Sequence, residues 1–484
     1  MVTTRFAPSP TGDPHIGNIR SALFAYLFAK KNSGEFLLRI EDTDRERHDE
    51  KSIEVIKEAL SWLGVTPENL SDPMIQSTRL EIYKKAALKL VEEDKAYVCN
   101  CSRDRLEKVR EEQKAKKLPP MYDKHCRELQ VESAVLRRNQ NLIHNEENNR
   151  LKAGEIPEGC VVRMKVPEGE KIILDDIVRG QVEFDSSTID DQIILKSDGF
   201  PTYHLAHVID DHEMQITHVI RAEEWLPSTP KHILLNKMLG FKAPEYAHLP
   251  VILSPTHGKL SKRDGAVGIL EYKKMGYLPE ALVNFMALLG WNPKTNEEFF
   301  TLNDLEKRFD LMQVNKAPAI FEIEKLNFFN RHYLKRRQAK EIIGLLNKNT
   351  IDSLPAGKLD KIVELAKERM TILSDFQKTI NFLLDEPKLE KNLIVFKKSD
   401  LKTTKNALQN VLGELETVSS WNEDEIKAAL EKVAGQDNFS AGDVFWPVRY
   451  ALSGEEKSPP PEKIAEVLDK QKAISRISKA LELL

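Results

Sequence analysis

Apolar and polar positions change period several times along this chain. VTTRFAP (Val2–Pro8) is a short β-rich run that ends at prolines. From Ile16 the apolar residues fall at Ile19, Leu23 and Leu27 with Tyr26 beside them, a helical spacing. Asn32-Ser33-Gly34 supplies the stop, and EFLLRIED (Glu35–Asp42) reads as a second, buried strand. Strand, helix and strand without a hairpin turn predict a βαβ unit, hence a parallel sheet with a right-handed crossover. Ile53, Ile56, Leu60 and Leu63 mark the next helix, stopped by Gly64. From about Tyr97 a Cys-x-Cys, a charged helix, the polar run RRNQNLIHNEENNR (Arg137–Arg150) and the β-like VVRMKV and KIILDDIVRGQVEF read as an insertion. Parallel-sheet texture returns in DQIILKSDGFPTYHLAHVIDD and ITHVIRAEEWL, and helices dominate after Asn330. SGEEKSPPP (Ser453–Pro461) is a break between two of them.

At 484 residues the chain exceeds one ordinary core, and two to four domains are expected. A 41% hydrophobic content and a mean hydropathy of −0.44 read as soluble and globular. No apolar run is long enough to span a bilayer. The turn after the first strand begins almost at Met1, which leaves no room for a leader, so a cytoplasmic location is expected. Cys99, Cys101, Cys126 and Cys160 are too few to build a fold of this size on disulfides. A net charge of −4 argues against bulk coating of nucleic acid but leaves room for a local basic groove.

The chemistry is carried by two loops. A strand feeding a stiff turn and a helix N-terminus is where open α/β sheets bind ligands, and free N–H groups there favour phosphate. Gly17 lets a nucleotide lie against the backbone, and His15 can donate to a phosphoryl oxygen. Far downstream, Lys259-Leu260-Ser261-Lys262-Arg263 follows a Thr-His-Gly turn; lysines on such a loop neutralise the charge of a departing pyrophosphate. HIGN and KLSKR resemble the HIGH and KMSKS signatures of class I aminoacyl-tRNA synthetases. RFAPSPTGDPHIGN, RIEDTD, SDGFPTYHLAHVIDDH and VIRAEEWLPSTPKH together resemble the bacterial-type glutamyl-tRNA synthetases. The likeness runs over the whole chain and weakens in the helical tail. The glutaminyl branch usually reads P-E-P-N-G where this chain has Pro8-Ser9-Pro10-Thr11-Gly12.

The resemblance implies a multidomain α/β fold: a Rossmann-type parallel-sheet catalytic domain with an α/β insertion, then an all-α anticodon-binding domain. Its expected divisions are 1–98 and 196–240 for the two catalytic halves, 99–195 for an acceptor-stem insertion, 241–330 for a stem-contact domain and 331–484 for the anticodon domain. It implies ATP-dependent ligation of L-glutamate to tRNA-Glu through a glutamyl-adenylate and transfer to the terminal 2′-hydroxyl. Charging of tRNA-Gln as well, and a tRNA-independent adenylyltransferase, stay open as alternatives. His15, Gly17 and Asn18 would contact ATP, which arrives with magnesium; Lys259, Ser261 and Lys262 would hold its phosphates, with His15, Lys259 and Lys262 catalytic. Arg5, Ala7, Ser9, Tyr203 and Arg221 would line the glutamate pocket, and Glu41 would hold the α-ammonium. All are expected at carboxyl ends of parallel strands. An arginine fork suits this task because an amide in place of a carboxylate leaves buried donors poorly paired.

Cys99-x-Cys101 and, after twenty-four intervening residues, Cys126 resemble the zinc site some members carry. A structural site needs four ligands; the family's usual fourth falls on Glu128, with Tyr122 and His125 also near. Arg369 lies in a stretch resembling the one that inspects the anticodon, and Phe445, Trp446 and Arg449 are further candidates. A monomer without membrane contact is expected.

Overall fold

The computed structural model describes residues 1–44, 51–127, 156–258, 260, 267–436 and 438–484. They form two compact units, Met1–Lys273 with Pro279–Lys325, and Lys274–Leu278 with Leu326–Leu484.

In the first unit, strand β1 (Thr3–Phe6), helix α1 (Ile16–Lys31) and strand β2 (Glu35–Ile40) make the expected βαβ. β1 and β2 are parallel, with Thr3 opposite Glu35 and Phe6 opposite Leu38, and β3 (Met74–Ile75) continues the sheet beyond β2. Helix α1 buries Ile19, Leu23, Tyr26 and Leu27 as its spacing requires, and also Phe24 and Ala25, so it is enclosed on nearly every side. Helix α2 (Lys51–Leu63) ends at Gly64, whose φ of +74° lies in the left-handed region that glycine tolerates.

Strands β4 (Ala96–Cys99), β5 (Val161–Met164) and β8 (Ile193–Leu195) form a separate antiparallel sheet. Another sheet runs β7-β6-β10-β9, from β6 (Lys171–Asp176), β7 (Gly180–Asp185), β9 (His218–Ala222) and β10 (Glu245–Leu249). β9 and β10 are parallel, β10 and β6 are parallel, and β6–β7 is an antiparallel hairpin. That hairpin, within the segment read as an insertion, thus adds to β10. The starts of β1 and β9 lie side by side: Thr217 N–H donates to the Thr3 carbonyl at 2.9 Å, and Thr3 N–H to Thr217 Oγ1 at 2.9 Å.

Two details differ from the sequence reading. β8 pairs antiparallel with β5, and Tyr203–Glu213 is a helix, so Tyr203 opens a helix and does not end a strand. The reason is burial on most sides: every residue from Leu205 to Asp211 is buried, and a helix enclosed that way loses the polar stripe that distinguishes it from a buried strand. Leu205, Ala206, Val208 and Ile209 pack with Tyr83, Met164, Ile194 and Leu235. Tyr203, His207, Asp210 and Asp211, at i, i+4, i+7 and i+8, share another face.

The second unit is helical. Its long elements are Leu401–Thr417, Glu423–Ala434, Ala441–Ser453 and Lys470–Leu483, and the break at Ser453–Pro461 separates Ala441–Ser453 from Pro461–Leu468. Arg476, 1% exposed, donates to the carbonyls of Phe382 (2.6 Å), Leu452 (2.6 Å) and Asp385 (2.7 Å). These carbonyls close two helices, so the cation sits at the negative ends of two dipoles.

Candidate active site

Arg5 leaves the end of β1 and Arg39 the end of β2, and both meet Asp211. Arg5 Nε donates to Asp211 Oδ1 at 3.0 Å, and Arg39 Nη1 to the same oxygen at 2.6 Å. Arg39 Nη2 also donates to Glu41 Oε1 at 2.8 Å. Burial alone would raise the Asp211 pKa, but Arg5 and Arg39 outweigh it and hold the carboxyl below its usual range. For Glu41 burial prevails over Arg39, and its pKa is raised. A cation arriving beside Glu41 would shift that balance back toward the charged form. Ala7 and Ser9 lie in the stretch after β1, which the Glu41 N–H ties to β2 by donating to the Pro8 carbonyl at 3.0 Å.

Arg221, near the end of β9, makes the second half of the cluster. Its Nη1 donates to Tyr203 Oη at 3.1 Å, its Nη2 to Thr229 Oγ1 at 2.8 Å and its Nε to His248 Nε2 at 3.1 Å. Tyr203 has its pKa pushed up to about 12 by burial; it accepts from Arg221 and keeps a proton to give. Its ring centroid lies 4.5 Å from that of Trp225, the planes tilted by 39°. His204, His207 and His232 fill the space between the halves, with His207 and His232 rings 4.4 Å apart. Burial and nearby positive charge hold all three neutral, His204 at about 3. Within this cluster Arg5 and Arg39 meet the carboxylates of Asp211 and Glu41, while Arg221 is held by the neutral partners Tyr203, Thr229 and His248.

The turn before α1 is built by its own side chain. His15 is the N-cap, and its Nδ1 accepts the Gly17 N–H at 3.1 Å. A Cβ on Gly17 would lie 3.0 Å from His15 Cε1, so the glycine makes room for the cap. His15 and Asn18 are exposed. The turn is stitched to the segment after the lysine loop: His15 bridges to Gly268, the Pro14 carbonyl accepts Ile269 N–H at 3.1 Å and Asp13 Oδ2 accepts Leu270 N–H at 3.2 Å. Lys259, Ser261 and Lys262 themselves lie outside the described residues.

Residues 1–328 match the family model described as tRNA synthetases class I (E and Q), catalytic domain, and residues 334–481 match an anticodon binding domain. The chain belongs to the class I tRNA synthetases of the E and Q branch. It is 42% identical to a glutamate–tRNA ligase of Dehalococcoides mccartyi strain CBDB1, over 99% of this chain and 97% of the relative. It is 41% identical to that of Alkaliphilus metalliredigens, over 98% of both. A crystal structure of a glutamate tRNA ligase from Elizabethkingia meningosepticum in complex with its amino acid superposes with a TM-score of 0.84, at 35% identity and 99% coverage of both chains.

In this synthetase the sulfurs of Cys99, Cys101 and Cys126 lie within 4.8 Å of one another, and no His125 nitrogen joins that group. The Tyr122 hydroxyl stands among them, 3.5 Å from Cys99 Sγ and 3.4 Å from Cys101 Sγ, and accepts the Cys126 N–H at 2.9 Å. Glu128 lies outside the described residues. Hydrogen bonds from Tyr122 and Arg163 outweigh burial and lower the Cys99 pKa, whereas burial raises Cys101 to about 11. Three convergent sulfurs supply three of the four donors that a structural zinc takes.

In the helical unit of the synthetase, Arg369 borders a cavity of about 650 Å³ that Lys378, Thr379 and Glu455 also line. Its Nη2 donates to Glu455 Oε2 and to the Lys457 carbonyl, both at 2.8 Å. Arg449 sits 4.9 Å from the Trp446 ring, and Trp446 is tied inward by donating to the Leu393 carbonyl at 2.9 Å.

Sequence reading missed Arg39, Asp211, His207, His232, His248 and Asp176. The available signal was charge inside apolar runs, Arg39 in EFLLRIE and Asp211 in HLAHVIDD, since buried charges are rare unless paired.

Proposed function

We propose that this chain ligates L-glutamate to tRNA-Glu at the expense of ATP. The glutamate α-carboxylate attacks the ATP α-phosphorus and expels pyrophosphate; the 2′-hydroxyl of the terminal adenosine then takes the acyl group. The observation that carries the reading is the buried cluster of Arg5, Arg39 and Arg221 toward the ends of β1, β2 and β9. Neither step needs a protein nucleophile; positioning and charge stabilisation supply the rate.

In this reading Arg5, Tyr203 and Arg221 hold the side-chain carboxylate, and Glu41 with the backbone around Ala7 and Ser9 holds the ammonium. His15, Gly17 and Asn18 receive magnesium-bound ATP, and Lys259, Ser261 and Lys262 follow its phosphates. Cys99, Cys101 and Cys126, with Tyr122 as fourth donor, hold a structural zinc that fixes residues 99–126. Residues 99–195 and 241–330 meet the acceptor stem. Residues 331–484 meet the anticodon, with Arg369 at a base. The test is ATP–pyrophosphate exchange with glutamate or glutamine, each with and without tRNA-Glu. Glutamate-dependent exchange supports the reading, and equal exchange with glutamine removes the carboxylate pocket.

A further inference from the structure

Behind Arg221 stands a polar pair with no direct place in the pocket. His248 Nδ1 is 2.6 Å from Asp176 Oδ2, and both side chains are wholly buried. Asp176 is pinned: its Oδ1 accepts backbone N–H groups from Val178 at 3.0 Å and Arg179 at 2.8 Å, and both its oxygens lie near the His248 N–H. On the other edge of the imidazole, Nε2 receives Arg221 Nε–H at 3.1 Å. One tautomer satisfies both contacts, with hydrogen on Nδ1 for Asp176 and a lone pair on Nε2 for Arg221. Burial, with Arg221 and Arg179 nearby, outweighs the pull of Asp176 and keeps the ring neutral.

We propose that Asp176 and His248 are positioning residues for amino-acid recognition: by holding Arg221 at Nε they fix the plane of its guanidinium, so that its outer edge and Tyr203 meet the substrate's side-chain carboxylate in one geometry. This rests on the reading of Arg221 as a glutamate ligand. A planar fork tells carboxylate from amide only when its plane is held, and Nε is the donor left behind while Nη1 reaches Tyr203 and Nη2 reaches Thr229. The arrangement also gives the β6–β7 hairpin a role in recognition. Asp176 ends β6, and Arg179 in the turn donates to the His248 carbonyl at 3.3 Å and pairs with Glu223 at 2.5 Å.

The experiment is steady-state charging of tRNA-Glu by the full chain, with His248→Gln, His248→Asn, Asp176→Asn and Arg221→Ala compared for KM of glutamate, KM of ATP and melting temperature. Glutamine Oε1 reaches toward the position of Nε2 and asparagine does not. His248→Gln is expected to keep the glutamate KM within about threefold. His248→Asn and Asp176→Asn should raise it about tenfold, the scale on which outer partners of a binding group act, and leave the ATP KM within about twofold. The proposal is overturned if the two His248 variants lose melting temperature alike and shift both KM values together, as a purely structural pair would. If Arg221→Ala leaves the glutamate KM unchanged, the pocket reading and this proposal fall together. If Arg221→Ala raises it and His248→Asn and Asp176→Asn do not, this proposal alone fails.

Discussion

Asp211→Asn tests the electrostatic frame of the site with almost no change in shape. The wild-type carboxylate takes Arg5 Nε at 3.0 Å, Arg5 Nη2 at 3.4 Å and Arg39 Nη1 at 2.6 Å. Asparagine keeps one acceptor and removes the charge, leaving two buried guanidinium groups with Glu41 as the remaining ion-pair partner of Arg39. Breaking one side of a buried ion pair costs about 3–5 kcal/mol. In a unit of this size that is a melting-temperature drop of about 4–8 °C. Arg5 also loses its anchor. The loss of one charge-assisted hydrogen bond, about 1.5 kcal/mol, should raise the glutamate KM about tenfold. Calorimetry and charging kinetics on the full chain read the two effects. The pH arm has a definite sign. Asp211 has a folded pKa below its unfolded value, so its stabilisation is present above the unfolded pKa and lost as pH falls through the folded one. The gap between wild type and Asp211→Asn should be full near neutrality and close below about pH 4. A gap of less than about 1 °C at neutral pH with an unchanged glutamate KM would refute the reasoning, since Arg5 and Arg39 would then be balanced elsewhere.

Three further outcomes follow from the geometry. His15→Ala should slow glutamate-dependent pyrophosphate exchange about 100-fold while tRNA affinity stays within about twofold; equal loss of both would make His15 a folding residue. Gly268→Ala places a Cβ 1.9 Å from Asp13 Oδ2, so it should separate the His15 turn from the segment after the lysine loop and slow exchange, and unchanged exchange would show that the stitch does not matter. Cys101→Ser should abolish one equivalent of zinc by elemental analysis and Tyr122→Phe should weaken its retention against a chelator; a zinc-free wild-type chain would remove the site.

Local pattern made the βαβ start legible, because α1 carries helical spacing between two short apolar strands. The helix over Tyr203–Glu213 was not legible, since its enclosure erased the polar stripe. Arg5, Glu41 and Arg221 could be anticipated from motifs at strand ends. The partners that orient them could not: Arg5 and Asp211 are 206 residues apart, and Arg39 and Asp211 are 172 apart. Such pairs leave no periodic trace, only a charge where the surrounding residues are apolar. The Tyr122 hydroxyl among the three cysteines is a similar case, since spacing alone left it level with His125 and Glu128.

The most direct test of the central claim is transfer of labelled amino acid to tRNA transcripts by the purified full chain with ATP and magnesium. Glutamate is expected to be transferred to tRNA-Glu, and glutamine to neither tRNA-Glu nor tRNA-Gln. Transfer of glutamate to tRNA-Gln as well would keep the pocket and widen the tRNA choice. A folded chain that transfers glutamine as readily as glutamate, or transfers neither, would contradict that claim.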